Sequence, residues 1–167
     1  LVPMDTVLRD WQGLGYYSRA RNLHAAIKTI VNEYDSVFPS NYVALLKLKG
    51  VGQYTAAAIA SFCYHEPVAV VDGNVQRVLS RVFGIDADIS ASSTRNIFQE
   101  KANELLPKKQ AAQFNQAIME FGALQCVPKN PNCKSCIFNS NCLYFLADYI
   151  YYSQSDEKKM SYINENI

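Results

Sequence analysis

Four cysteines near the C-terminal end are the residues of this chain best suited to chemistry: Cys126, Cys133, Cys136 and Cys142, spaced C-x6-C-x2-C-x5-C. Four thiolates in so short a span can converge on one metal centre, and soft sulfur ligands select zinc or an iron–sulfur cluster. A zinc ribbon wants two Cys-x2-Cys knuckles joined by a longer arm, and only one pair here has that spacing. The residues between the cysteines include Pro128, Lys129, Asn130, Pro131, Lys134, Asn139 and Asn141, which are turn formers and cations. A compact basic loop of this kind is a reason to look for DNA. Two disulfides are the competing reading. They would leave Cys63 over, in an apolar stretch (Ala57–Phe62) that reads as buried helix. A reducing compartment suits a metal centre better. The chain shows no secretory signal; it opens Leu1-Val2-Pro3, with no basic n-region and no initiator Met, so it is expected to be an excised piece of something longer.

A second candidate is Asp72. The run Val70-Val71-Asp72-Gly73-Asn74-Val75 places a carboxylate at a helix N-terminus. Asp is a preferred N-cap, worth about 1 kcal/mol. The same position keeps the carboxylate ionised, because helix N-termini favour negative charge. An ionised carboxylate beside a bound nucleotide could stabilise an oxocarbenium-like sugar. Such chemistry usually needs a second, protonated acid. None in the chain is convincing: Glu66 sits beside a proline in a loop, and Glu120 lies on a helix face where solvation is expected. Position alone leaves both cap and catalyst open for Asp72.

A third candidate is the turn in Leu45-Leu46-Lys47-Leu48-Lys49-Gly50-Val51-Gly52-Gln53-Tyr54-Thr55-Ala56. Glycine permits positive φ and close approach of another backbone. Val51 can plug the angle between two helices. The N–H groups of the turn then run into the N-terminus of the Gln53 helix, a ready anion site, and Lys49 adds charge. A DNA phosphate fits there. A bare helix connection is the plainer alternative, and the flanking Leu48, Val51 and Ala56–Ala58 tilt the balance toward the helix-hairpin-helix pattern.

The elements that must carry these residues are helical. Asp5–Gln12 reads as a short helix ended by Gly13 and Gly15. Ser18–Tyr34 carries an i, i+3, i+4, i+7, i+8 stripe of Leu23, Ala26, Ile27, Ile30 and Val31. Ser40 is expected to cap a short helix through Leu46. Gln53–Tyr64 is an Ala-rich helix, and Asp72 opens one with Val75, Val78, Leu79 and Val82 on a single face. Ser92 or Ser93 starts a helix that runs to Leu106 and stops at Pro107. Gln110–Leu124 leads into the cysteine loop, and Leu143–Tyr152 is a last apolar stretch. Val68–Val71 could be β, but one short run builds no sheet. The tail Ser153–Ile167 has the composition of a linker.

The chain is 167 residues long, 49% apolar and 19% charged, enough to bury a core. Its longest apolar stretch is interrupted by His65-Glu66-Pro67, so no membrane span is expected. A net charge of +1 excludes a global basic field as a marker of nucleic-acid binding. Local patches could mark one: residues 1–60 hold Arg9, Arg19, Arg21, Lys28, Lys47 and Lys49 against Asp5, Asp10, Glu33 and Asp35, and residues 108–142 hold Lys108, Lys109, Lys129 and Lys134 against Glu120 alone. Scattered lysines by themselves read as solvated surface.

Three motifs taken in order resemble the helix-hairpin-helix DNA glycosylases of the endonuclease III superfamily. They are the hairpin Leu48–Thr55, then Val71-Asp72-Gly73-Asn74-Val75-Gln76-Arg77-Val78, then the four cysteines. The stretch Trp11-Gln12-Gly13-Leu14-Gly15-Tyr16-Tyr17-Ser18-Arg19-Ala20-Arg21-Asn22-Leu23 is similar to the MutY-type adenine DNA glycosylase branch. The resemblance covers about residues 5–147 and rests on several independent motifs. It implies an all-α fold: a helical core over 1–125 with the helix-hairpin-helix near 40–64, a [4Fe–4S] cluster loop over 126–142, and a terminal helix and tail over 143–167. It implies a monomeric base-excision-repair enzyme of the bacterial cytoplasm, associated with the nucleoid. Such an enzyme binds double-stranded DNA containing adenine mispairs, flips adenine out opposite 8-oxoguanine or guanine, and hydrolyses its glycosidic bond.

The resemblance also assigns roles. Asp72 matches the aspartate that stabilises the sugar cation, and Asn74 helps to hold that site. Tyr54 stands where strand-cleaving relatives carry a lysine, and a phenol cannot form a Schiff base. Tyr16 matches a tyrosine that wedges into DNA beside the oxidised guanine. Arg19, Lys49, Gly50, Val51 and Gly52 join it as DNA-binding residues, and Cys126, Cys133, Cys136 and Cys142 hold the cluster. The family's general-acid glutamate is expected upstream of Leu1, and the C-terminal domain that helps recognise 8-oxoguanine is expected to be missing. The piece alone should then be nearly inactive. The alternatives are an endonuclease III-like enzyme for oxidised pyrimidines, a catalytically silent DNA-binding module, and a zinc protein.

Overall fold

The structure is a computed structural model that describes residues 1–87 and 94–152. The chain divides into two compact units, Leu1–Val68 and Ala69–Ile167. Among the described residues all regular structure is helical. No helix among them is long and apolar enough to cross a membrane. The expected helix start at Ser92 or Ser93 and the tail Ser153–Ile167 lie outside the described residues.

The first unit holds α1 (Met4–Asp10), α2 (Tyr17–Glu33), α3 (Tyr42–Leu45) and α4 (Gln53–Tyr64). Its core joins Ala26 and Ile30 of α2 to Leu45, Leu48, Ala56 and Ala60, with Tyr42, Val51 and Ile59 packed against them. Alanines on α4 let the helices approach closely. The apolar stripe expected on α2 is split. Ala26 and Ile30 face that core, and on the other side His24 is buried, its Nε2 2.9 Å from the Val2 carbonyl. Leu23, Ile27 and Val31, between the two contacts, stay 39–48% exposed. Periodicity finds an apolar face but not how much of it neighbours cover.

Two further expectations are corrected here. The cap of α3 is Asn41, not Ser40: its Oδ1 accepts from the Ala44 N–H at 2.9 Å. The Glu66 carboxylate assists by accepting the Tyr42 N–H at 2.6 Å. Cys63, expected to be buried, is exposed. The buried positions of α4 are Ala56, Ala57, Ala60 and Ser61, and Cys63 falls off that face.

The second unit holds α5 (Gly73–Phe83), α6 (Arg95–Leu105), α7 (Ala111–Leu124), a 3-10 turn at Cys133–Ser135, and α8 (Leu143–Tyr152). Helix α5 packs against α6, α7 and α8. The core is Ala69, Val75, Leu79, Phe98, Ala102, Leu106 and Ala111. The backbone turns extended at Leu106, before Pro107, as the ring of the following proline requires. The run that could have been β forms no ladder. Side chains satisfy its backbone instead, as burial demands. Asn103 Oδ1 accepts the Ala69 N–H at 3.2 Å, Gln99 Nε2 donates to the Ala69 carbonyl at 2.9 Å, and Asn115 Oδ1 accepts the Val70 N–H at 3.0 Å.

Candidate functional site

In the second unit Asp72 is the N-cap of α5, with an extended backbone. Its Oδ1 accepts the Val75 N–H at 2.8 Å and its Oδ2 accepts from Asn74 Nδ2 at 2.9 Å. Both oxygens are therefore held, and the carboxylate has one orientation. Asn74 is held in turn: its Oδ1 accepts from Arg77 Nη2 at 2.8 Å. The same Nη2 donates to the Gly122 carbonyl at 2.6 Å, and Arg77 Nε donates to the Cys126 carbonyl at 2.8 Å. A hydrogen-bonded path thus runs from Asp72 to the first cysteine. Burial lowers the Arg77 pKa, Arg81 lowers it further, and Cys126 and Asp72 oppose the change.

Arg81, one turn further along α5, is the chief fastener of the cysteine loop. Its side chain is buried. Nη1 donates to the Val127 carbonyl at 2.8 Å and to the Cys126 carbonyl and sulfur, both at 3.3 Å. Nη2 donates to the Pro128 carbonyl at 3.0 Å. The guanidinium also stacks over Tyr144, 5.3 Å from the ring centre. A buried cation surrounded by carbonyls and one sulfur is the pairing that makes its burial tolerable.

All four thiols line one small open pocket, together with Arg81, Phe121, Phe138 and Tyr144. Cys126 and Cys142 are buried, Cys133 and Cys136 half-buried, and all four are free thiols. Burial pushes the Cys133 thiol up, Cys142 and Cys126 push it further, and Arg81 pulls the other way. Among the described residues no group of three or more His, Cys, Asp or Glu side chains is arranged to hold a metal ion. The sulfurs surround one space, and four soft sulfur donors are a set that zinc and iron–sulfur groups both take.

In the first unit the hairpin turn joins α3 to α4. Gly50 has φ +81°, and a Cβ there would lie 2.5 Å from the Asn22 Cβ. Glycine is required at this position. Gly52 is different: it is the extended N-cap of α4, and a Cβ there would meet nothing within 4 Å. Without a side chain it leaves the first N–H groups of α4 uncapped, open to an anion. Val51 packs on the core, as a plug should, while Lys49 is exposed. Tyr54, in the first turn of α4, is 46% exposed.

Tyr16 is 79% exposed and holds a left-handed backbone at φ 46°. A non-glycine residue there is strained unless its surroundings impose the conformation. They do: Trp11 Nε1 donates to the Gly15 carbonyl at 3.0 Å, and the Arg19 guanidinium lies over both the Tyr16 and the Trp11 rings, at 5.3 and 5.9 Å. Arg19 therefore supports Tyr16 as well as presenting charge. Glu120 is exposed and accepts from Gln116 at 2.6 Å, the solvated helix-face position expected for it.

Sequence reasoning gave no role to Arg77 and Trp11, which lie inside its motifs, and passed over Arg81, Asn115 and Gly122. One signal was available for the arginines. Like charges at i, i+4 on a helix repel, so Arg77 and Arg81 on α5 need partners from elsewhere. Gly122 carried a weaker one, a glycine inside a helical pattern.

Comparison with known proteins identifies relatives of the chain. An adenine DNA glycosylase of Buchnera aphidicola (subspecies Baizongia pistaciae) is 35% identical over 149 residues, 89% of this chain and 42% of that protein. An Arabidopsis thaliana adenine DNA glycosylase is 44% identical over 135 residues, 81% of this chain and 21% of that protein. The chain therefore spans less than half the length of these curated relatives. The solved structure of a thermostable thymine-DNA glycosylase superposes with a TM-score of 0.78 at 31% identity, over 87% of this chain and 67% of that one. Residues 2–104 match the description "HhH-GPD superfamily base excision DNA repair protein". With its hairpin, the helices of its described residues and this match over more than half its length, the chain belongs to the HhH-GPD superfamily of base excision DNA repair proteins.

Proposed function

We propose that this chain is the core of a monofunctional adenine DNA glycosylase that acts as a monomer on adenine opposite 8-oxoguanine or guanine in double-stranded DNA. The observation that carries the reading is Asp72, whose carboxylate is fixed by the Val75 N–H and the Asn74 amide. In this role the bond between adenine N9 and the sugar C1′ breaks, and its electron pair leaves with the base. The base takes a proton from a general acid, which the family resemblance puts upstream of Leu1. The sugar is left with positive charge, and the fixed carboxylate of Asp72 stabilises it until water adds at C1′ and gives a proton back to the spent general acid. A charge already oriented costs no reorganisation during the reaction. Tyr54 offers a phenol and no amine, so no Schiff base forms and the strand is not cut. The hairpin turn takes a phosphate, and Tyr16 stacks beside the oxidised guanine.

Cys126, Cys133, Cys136 and Cys142 hold a [4Fe–4S] cluster in this reading. When bound, it supplies iron–thiolate bonds that cross-link the loop. The support is the cavity that all four line.

The test uses the chain extended upstream to the length of its relatives, assayed on a duplex with one adenine:8-oxoguanine pair. Adenine release without strand cleavage is expected, along with iron and acid-labile sulfide. Release of an oxidised pyrimidine with strand cleavage would replace the reading by an endonuclease III-like one. Tight duplex binding with no base release would leave a DNA-binding module. Stoichiometric zinc without sulfide, in anaerobic material, would sink the cluster.

A further inference from the structure

We infer that helix α7 is the template that sets the Asp72 turn, with Asn115 and Gly122 as positioning residues for the carboxylate. The inference rests on the reading that Asp72 acts in base release. The segment from Val70 to Asn74 has no partner strand to set its path. It is held at two points, one on each side of Asp72 and each two residues away. Before Asp72, the Val70 N–H donates to Asn115 Oδ1 at 3.0 Å, and Asn115 is 1% exposed. After Asp72, Asn74 lies directly against Gly122. A Cβ at Gly122 would fall 2.7 Å from the Asn74 Cβ and 2.9 Å from the Asn74 carbonyl oxygen.

The two α7 positions are seven residues apart, close to two helical turns, so they share a face. Glycine inside a helix is unfavourable relative to alanine, and close packing is the reason for it here. The obstructed atoms are backbone and Cβ of Asn74, not the end of a flexible side chain. Any side chain at position 122 must therefore push the turn itself, and with it the Asn74 amide that holds Asp72 Oδ2. The Gly122 carbonyl adds to the same contact by accepting from Arg77, which holds Asn74 from the other side. Neither Asn115 nor Gly122 is a catalytic residue. Both act through the place they give to Asp72.

The experiment measures single-turnover adenine release at saturating enzyme, duplex affinity and melting temperature. The proteins are the upstream-extended protein and its variants Gly122→Ala, Asn115→Ala, Leu106→Ala and Asp72→Asn. Leu106 is in the same core and serves as a stability control. Misplacing a reacting group by about 1 Å can cost on the order of 100-fold in rate, so Gly122→Ala and Asn115→Ala should each slow release at least about tenfold. Duplex affinity should hold, and Leu106→Ala should keep its rate at an equal loss of melting temperature. Wild-type rates in both α7 variants, or losses no larger than that of Leu106→Ala, would overturn the inference. If Gly122→Ala does not fold, Asn115→Ala decides alone. Asp72→Asn separates the two levels. If it abolishes release while the α7 variants do not, only the template role fails. If it releases adenine normally, the reading of Asp72 fails and the template role falls with it.

Discussion

The two units build their candidate sites by different routes. In Leu1–Val68 the residues around Tyr16 are near neighbours in sequence: Trp11 bonds to the Gly15 carbonyl four residues on, and Arg19 stacks over Tyr16 three residues back. The uncapped start of α4 follows at once from Gly52. In Ala69–Ile167 the contacts reach much further. Val70 to Asn115, Arg77 to Gly122 and Cys126, and Arg81 to Cys126, Val127 and Pro128 all span 45–49 residues. A site made of neighbours forms wherever its segment folds. A site made of distant partners exists only after the helices have packed, and each partner then bears on the others. Damage around Tyr16 should stay local, and damage in the second unit should spread.

The largest effect is expected at Asp72. Asp72→Asn keeps the size and most of the capping ability, since Asn caps about as well as Asp. Loss of the charge should lower adenine release by about 10²–10³ in the extended protein, as for removal of one electrostatic stabiliser of a transition state. Duplex affinity and melting temperature should hold. Near-normal release would make Asp72 a cap only.

Arg81→Met tests how far damage spreads in the second unit. It orphans the carbonyls of Val127 and Pro128, while Cys126 keeps its bond from Arg77, and should cost about 3 kcal/mol. Melting temperature, iron content and base release should fall together. If stability falls with iron and release intact, the distant contacts are not coupled.

Tyr16→Ala sharpens the local side of the comparison. Base–aromatic stacking is worth about 1–3 kcal/mol, so discrimination between 8-oxoguanine and guanine opposite adenine should shrink by that amount. Melting temperature should not change, because the ring is mostly exposed. Equal discrimination in the two proteins would reduce Tyr16 to a surface aromatic.

Gly50→Ala should cost about 1–2 kcal/mol of stability, from positive φ and the clash with Asn22. It should also weaken duplex binding without altering base preference, because phosphate contacts position and do not specify. The smallest effect is Cys63→Ser. An exposed thiol off the buried face should change stability by less than about 0.5 kcal/mol. Iron and sulfide should be retained, and their loss would place Cys63 among the ligands.

Much of the frame was legible because helices announce themselves locally. Leu143–Tyr152 is found at its expected bounds, and Ala111–Leu124 within one residue of them. The stop before Pro107 is also as expected, since proline acts on its immediate neighbour. The cap at Asn41 in place of Ser40 is a one-residue miss, of the size that adjacent capping residues allow. The exposure of Cys63, Leu23, Ile27 and Val31 was not legible, because a period identifies an apolar face without saying what lies against it.

By itself the sequence determined the helices, the hairpin turn and the identity of the four thiols. Each of these depends on residue types within a few positions of one another: a glycine with no Cβ, an Asp ahead of a helix, sulfur donors on one short loop. Only the tertiary structure decided that all four thiols line one cavity, that Arg81 is buried to fasten their loop, and that α7 meets the backbone on both sides of Asp72. Those facts depend on which distant groups meet once the helices pack, and periodicity along the chain carries no record of that.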